Sequence, residues 1–554
     1  MTALGWMVLV PLLMGVAVLC VPQSAPRVPR LLTLTALGAT LLLALRVFVG
    51  LESAPADADG YRMVTEIPGL GAPALGIRCR LGVDGLNVGL LLMGALVGLT
   101  AAACAREVQT RTKEFYFLLL LMVGGILGAF ASLDLFFFYF FHELALVPTF
   151  LMIGLWGRGT DRAAVAYQMT LYLTAGALVA LIGLIALYLQ VPPELRTFDM
   201  PTLTRYFREH PLPPEVQGWI YPLLLFGFGV LVSLWPLHSW APPGYAAAPT
   251  ATAMVHAGVL KKFGLYGLLR VGQPWLPEAA ADWAWVVAWL ALGNLLYAGW
   301  VAMQQKDLGR LLGYASVAHM GFVFLGLAAG NAMGMTGAVM VMVAHGLLAA
   351  VSFALAGHLY QQTGTLEMGR MGGLARKMPF LGAALVMAAL AGCGLPGFAN
   401  FIGEVTVFLG AWQVPELRVV TVGGLWAALV VGAIYMLRAV RAILHGPLGI
   451  AGASGRDIEG GWERWPHAML LAGLLFLGWF PQVLVGKVEP VVVRMVQKEP
   501  TGILATGLEV KGKALTFPAA TAEGRLREVD SVWAGEGGFA SAPTCDFRVG
   551  ADRQ

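Results

Sequence analysis

The chain has 554 residues, 58% of them hydrophobic and 12% charged, with a mean hydropathy of +0.73. Soluble domains carry about twice that charged fraction, so the composition describes a polytopic membrane protein; with no catalytic nucleophile or nucleotide site in the sequence, an independent soluble-type enzyme is not expected. The net charge of +4 is spread through loops and leaves no nucleic-acid footprint.

Apolar runs of about 20 residues predict fourteen spans. In chain order they are 4–21, 31–50, 83–103, 115–132, 134–156, 164–190, 219–238, 250–271, 283–303, 309–329, 333–358, 379–412, 416–443 and 465–487. The first has no basic residue before it and is followed by another span, so it reads as a retained helix and not a cleaved signal. The seventh ends at WPLHSWAPPGYAAAPT (235–250), and the twelfth is interrupted by CGLPGFAN (393–400). Proline removes a backbone donor and clashes with the preceding turn. Broken helices at membrane depth are tolerated where the freed backbone faces protein or a wet cavity. Four spans separate the two breaks, which suggests two five-span units, spans 4–8 and 9–13. The fold class is therefore an all-α polytopic membrane protein, with about fourteen transmembrane helices and two inverted five-helix repeats, each containing a broken helix. The expected segments are 1–110 (three helices), 111–272 and 273–445 (the repeats), 446–490 (the last span) and 491–554 (a polar tail, peripheral and poorly ordered).

Lys and Arg concentrate in alternate loops, among them Arg106, Arg111 and Lys113; Arg158 and Arg162; Lys306 and Arg310; and Arg370, Arg376 and Lys377. The positive-inside rule puts that set in the cytoplasm and both termini outside. The opposite set includes Glu52, Asp57 and Asp59, and the long segment 191–217. Cys20, Cys79, Cys104, Cys393 and Cys545 form no C-x-x-C pair and offer no zinc site, iron–sulfur ligation or disulfide framework. Gly507 to Lys513 imitates part of a phosphate-binding loop but lacks the following Ser/Thr and a preceding strand.

The informative residues are ionisable groups inside apolar spans. Glu143 sits in LDLFFFYFFHELALVPTFLMIGLWG, where an unpaired carboxylate would cost several kcal/mol. Such an acid binds an ion, relays a proton or pairs with a neighbouring helix. His142 beside it reads as a packing residue. Lys261 and Lys262 are adjacent and cannot share one helix face; one points inward while the other snorkels or meets a second partner. Buried lysine can load and release protons near neutral pH. His256 lies on a different face, nearly two turns earlier, and His238 at the first break serves freed carbonyls. His319 and His345, in consecutive spans, fit a relay because imidazole titrates near neutrality. Glu404, just beyond the second break, can exchange protons with one side of the membrane, or can simply stabilise the N-terminus of the second half-helix.

FHELALVPTFLMIGLWG, PLHSWAPP, APTATAMVHAGVLKKFGLYGLLR, LLGYASVAHMGFV, MVAHGLLAA and LPGFANFIGE, in this order, resemble the antiporter-like membrane subunits of proton-pumping NADH–quinone oxidoreductase (complex I), in particular the subunit M (chain 4) branch. The similarity runs from about Leu81 to Phe480. The resemblance implies a fourteen-helix subunit with two inverted repeats and no cofactor of its own. It also implies partner subunits that hold NADH, FMN, iron–sulfur clusters and quinone, other membrane subunits including neighbouring antiporter-like ones, and a bacterial inner membrane. Residue by residue, it assigns a proton relay to Glu143, Lys262, His319, His345 and Glu404. Two positions depart from the family. The lysine expected nine residues before Trp240 is Leu231, which leaves the partner of Glu143 open and makes the extra Lys261 a candidate substitute. The lysine expected before Arg310 is Gly309. The expected function is proton translocation coupled to quinone reduction elsewhere, with Glu143 modulating the charge of Lys262. A cation/proton antiporter subunit and a structural paralogue with weakened pumping are the alternatives.

Overall fold

The computed structural model describes residues 2–22, 24–449 and 455–496; the 507–513 segment, Cys545 and the rest of the polar tail after 496 lie outside the described residues. The chain opens with apolar helices α1 (Ala3–Leu19) and α2 (Val28–Gly50). An antiparallel ribbon follows, β1 (Arg62–Ala72) and β2 (Ile77–Val83), where the sequence reading has only an acidic connection. Helix α3 (Gly85–Cys104) begins on a capping box: Asp84 accepts from Asn87 N–H, and Asn87 Oδ1 accepts from Asp84 N–H. Then come α4 (Thr112–Ala131), α5 (Leu135–Trp156), α6 (Arg162–Leu189), the short α7 (Met200–Glu209) and α8 (Pro214–Val232). After a non-helical stretch come α9 (Ala241–Ala247) and α10 (Thr250–Val255). A π turn, His256–Leu260, joins α10 to α11 (Lys262–Gly267), and a second π turn covers Leu268–Gly272. The second half contains α12 (Ala284–Gln304), α13 (Leu308–Ala328), α14 (Ala332–Thr363), α15 (Pro379–Gly392), α16 (Ala399–Trp412) and α17 (Pro415–Leu444). Helices α18 (Gly461–Trp479) and α19 (Gln482–Val496) close the described chain.

Among the described residues, ten of these helices are long and apolar enough to cross a membrane, or eleven if α18 and α19 are one bent span. The fourteen predicted runs do not all become long rods. α1 and α15 are shorter apolar helices, and the eighth run is divided by π turns. The last run, read as one span, bends by 66° between Trp479 and Gln482, at Pro481. Helix then continues to Val496, past the point where composition turns polar.

The two breaks are built alike. Ser233 (φ +68°) and Gly394 (φ +65°) adopt the left-handed conformation at the ends of α8 and α15. The next residue in each case donates back six-to-one, Leu234 N–H to Gly229 O at 2.8 Å and Leu395 N–H to Leu390 O at 3.1 Å. This is the Schellman ending, and a proline follows each time, Pro236 and Pro396. A second matched pair lies at the starts of α5 and α13. Asp134 and Asp307 cap these helices, and their segments bridge to Asp199 and Glu367.

Burial sorts the helices. The most apolar window of α14 is wholly buried and that of α13 nearly so, while α6 and α17 present Leu178, Ile182, Val419 and Leu429 outward. A helix that is apolar all round belongs inside, and α13 and α14 carry the two histidines singled out by sequence.

Candidate functional site

The rod formed by α10 and α11 is held at both ends by ion pairs, the first partly buried and the second buried. At its start, Arg158 donates to Glu107 at 2.9 Å and to Thr250 Oγ1 at 2.6 Å, while Glu107 accepts from Thr250 N–H. Near its other end, Arg270 pairs with Asp84 and donates to the Tyr266 hydroxyl at 2.9 Å. Between these clamps the π turn sends Lys261 N–H to His256 O, five residues back. Gly258 lies in this turn, and a Cβ there would meet Gly346 O of α14 at 2.9 Å. Small residues on both sides let the two backbones approach, and that approach sets Lys262 against α14.

Lys262 is fully buried. Its ammonium donates to Ala257 O at 2.6 Å, and its Nζ lies 2.8 Å from His345 Nδ1. The His345 ring is 5.3 Å, centroid to centroid, from that of His319. His319 Nδ1 is 2.7 Å from Ala315 O. A carbonyl only accepts, so Nδ1 carries the hydrogen, and the other ring nitrogen, Nε2, faces Glu404 with the Gly392 carbonyl also beside the ring. That Nε2 lies 4.0 Å from Glu404 Oε1. A cavity of about 10 Å³ lies there, lined by His319, Cys393, Glu404 and Tyr435, the lower limit of space for one water. Glu404 folds back against the second break: a Cβ on Gly394 would overlap its Oε2. Lys262, His345, His319 and Glu404, from four separate helices, thus form one buried run.

Lys261 is also buried, so neither lysine snorkels. Its ammonium donates to Ser316 O at 3.2 Å and Ser316 Oγ at 3.1 Å, and lies 5.7 Å from the Tyr245 ring centre. The sequence reading misses Ser316 and Tyr245 as its partners. Ser316 stands one turn before His319, and that spacing is the only sequence signal it gives. The second partner allowed for one lysine exists, and it is on α13.

Glu143 is not in the run and makes no direct contact with Lys262, whose hydrogen bonds go to Ala257 O and His345. Its side chain is 35% exposed, its Oε1 lies 3.5 Å from His142 Nδ1 and accepts no hydrogen bond, and the Tyr139 hydroxyl one turn earlier donates to the carboxylate. The physical cause is the packing of α5: His142 stacks on Phe263 at 4.0 Å, and that pair of rings fills the interior side. Leu231, at the place of the expected lysine, is buried among apolar groups. Lys261 does not replace it as a direct partner, since its hydrogen bonds go to Ser316.

Chemically, two amines, two imidazoles and one carboxylate lie out of water. They cannot all be charged at once, because like charges at such spacing repel and each isolated ion is poorly solvated. A set of this kind shares protons and titrates as a unit. Nitrogen bases do not attract Na⁺, which needs oxygen ligands as other hard cations do.

The family described as "NADH:quinone oxidoreductase/Mrp antiporter, TM" matches residues 132–430. NADH-quinone oxidoreductase subunit M of Pseudomonas aeruginosa is 35% identical over 80% of this chain and 88% of its own length. Among solved structures, a chain of respiratory complex I from Thermus thermophilus with bound NADH superposes with a TM-score of 0.79 and 31% identity, covering 89% of this chain and 99% of that one. A chain of the Mrp complex from Dietzia sp. DQ12-45-1b shares the fold, with a TM-score of 0.75 at 20% identity over 89% of this chain and 99% of its own.

Proposed function

This chain belongs to the family of NADH:quinone oxidoreductase/Mrp antiporter membrane subunits, and from that premise we propose that it is the subunit M-like, proton-translocating membrane subunit of a bacterial respiratory NADH–quinone oxidoreductase. Its partners are the other membrane subunits of that complex; NADH, FMN, iron–sulfur clusters and quinone belong to partner subunits, and this chain moves protons. It lies in the cytoplasmic membrane with its basic loops inside and both termini outside. The segments 111–272 and 273–445 are the two half-channels, one per broken helix.

The observation that carries the reading is the buried series Lys262, His345, His319 and Glu404, joined by a hydrogen bond at its first step and by spacings of 5.3 Å between ring centres and 4.0 Å between Nε2 and Oε1 at the next two. Lys262 holds the proton at the centre. His345 takes it, His319 receives it at Nε2, and Glu404 passes it through the second break to the outer side. Glu143 acts on this run from a distance: a change in its charge alters the field at the lysines, because Coulomb forces reach further in low dielectric. Lys261 loads from the first half. The adjacency of four buried proton-binding groups favours pumping over a purely structural role despite Leu231, and their nitrogen bases favour H⁺ over Na⁺.

Replacing Lys262 by Met in the assembled complex tests this. Proton uptake driven by NADH oxidation should collapse in proteoliposomes, and uptake at the native stoichiometry would sink the proposal.

A further inference from the structure

The first half contains a second series of buried polar groups that the run to Glu404 does not use. Glu143 Oε1 and His142 Nδ1 are 3.5 Å apart, and neither makes a hydrogen bond. His142 is 2% exposed, and its ring plane is fixed by the stack on Phe263, the residue after Lys262. The π turn that packs against α5 presents His256, also buried. His256 Nδ1 is 3.4 Å from the Tyr245 hydroxyl, and its Nε2 has no partner. Thr252 Oγ1, one turn before His256, is buried and unpartnered as well. The Tyr245 ring then faces the Lys261 ammonium.

Buried nitrogen and oxygen atoms without protein partners are rare, and each demands a reason. Three occur on α5 and the α10–π-turn segment that packs against it, on His142, His256 and Thr252. Packing alone would be served by apolar rings without these unmet nitrogens. We propose that His142 and His256 are further relay residues, which connect Glu143 to the lysine pair by way of Tyr245. The inference rests on the proton-translocating reading above. It also supplies what Leu231 and the positions of Lys261 and Lys262 deny to Glu143, a basic neighbour on the interior side.

The transfer is balanced. The Glu143 carboxyl gives a proton to His142 Nδ1 and becomes a carboxylate. The His142 imidazolium releases the proton from its other ring nitrogen to His256 Nε2, through one internal water where the gap exceeds a hydrogen bond. His256 gives up its Nδ1 hydrogen to the Tyr245 oxygen as that hydroxyl passes its own, through a second internal water, to the neutral amine of Lys261, which lies over the Tyr245 ring 5.7 Å from its centre. One proton enters, one leaves, and each imidazole returns to the neutral state with its tautomer reset by ring reorientation.

The test uses the whole complex in proteoliposomes with His142→Gln, His142→Phe, His256→Gln and His256→Phe, and Lys262→Met as reference. Gln keeps hydrogen bonding, and Phe keeps ring shape and stacking; neither carries a proton. A structural role therefore tolerates one of the two at each site, whereas a relay tolerates neither. The expected result is a loss of proton uptake of about tenfold or more, at the low end of general acid–base effects, in every variant that assembles. Native uptake in any assembled variant, or failure of all four to assemble, overturns the proposal. If Lys262→Met is inactive while the histidine variants pump, only this inference falls. If Lys262→Met pumps, the functional reading falls with it.

Discussion

His345 is the joint on which the buried run depends, and its removal gives the clearest quantitative test. Lys262 makes hydrogen bonds to Ala257 O and His345 Nδ1 and none to His319. Proton transfer needs heavy atoms about 2.6–3.2 Å apart, or one water between them. Deleting the imidazole leaves the lysine with no direct proton acceptor, and the His319 ring centre is 5.3 Å beyond the vacated one. His345→Phe fills the space and admits no water, so proton transfer should slow by roughly 10²–10⁴-fold, the range for a positioned acid–base group. His345→Ala vacates more than the roughly 30 Å³ that a water takes; water bridging should restore part of the rate. Both variants lose a hydrogen bond to a buried amine, a stability cost of roughly 1–3 kcal/mol, which is small for a helix bundle of this size. The assay is NADH-driven proton uptake by the reconstituted complex, normalised to its electron-transfer rate. Equal rates for Phe and Ala, or native uptake with Phe, would refute the idea that the proton passes through this imidazole.

Three further outcomes follow from single contacts. Gly394→Ala places a Cβ in the left-handed region and on top of Glu404 Oε2; a cost of roughly 1–2 kcal/mol and displacement of Glu404 should lower proton uptake more than complex yield, read by uptake assay and native gel. Asp84→Asn breaks the buried pair with Arg270; an uncompensated buried guanidinium should cost roughly 3–5 kcal/mol, and the thermal midpoint of the complex should fall. Asp134, in the turn between α4 and α5, is pushed up to about 6 by burial, against the pull of the Arg78 and Phe137 backbone N–H groups. A folded-state value above the unfolded 3.8 means that its stabilising contribution is full below about 3.8 and is lost as pH rises through about 6. Asp134→Asn, which retains the cap, should therefore flatten the decline in thermal midpoint between pH 4 and 6.5; an unchanged slope would contradict the assignment.

Much of this was legible residue by residue. The breaks at 235–250 and 393–400 were readable because proline, glycine and the loss of helical donors act locally. His319, His345, Glu404 and the lysines stood out because ionisable groups are rare in apolar runs. Their partners were not legible. Lys261 and Lys262 are neighbours in sequence, yet one reaches α13 and the other α14, because a π turn and a close Gly258–Gly346 approach set the rotation and depth of that helix. The exposure of Glu143 and the interior position of His142 follow from which side of α5 meets Phe263, and no periodicity reports that in a helix that is apolar all round. The bend at Pro481 carried a local signal, whereas the ribbon at 62–83 depends on pairing between two strands.

The sequence by itself determined that the chain lives in a membrane, where its helices break and which side chains would have to share protons, because solvation cost and backbone hydrogen bonding are properties of each segment. Only the tertiary structure decided that Lys262, His345, His319 and Glu404 adjoin while Glu143 stands apart behind His142, because contact between helices depends on how their surfaces interlock, and that is a property of no single segment.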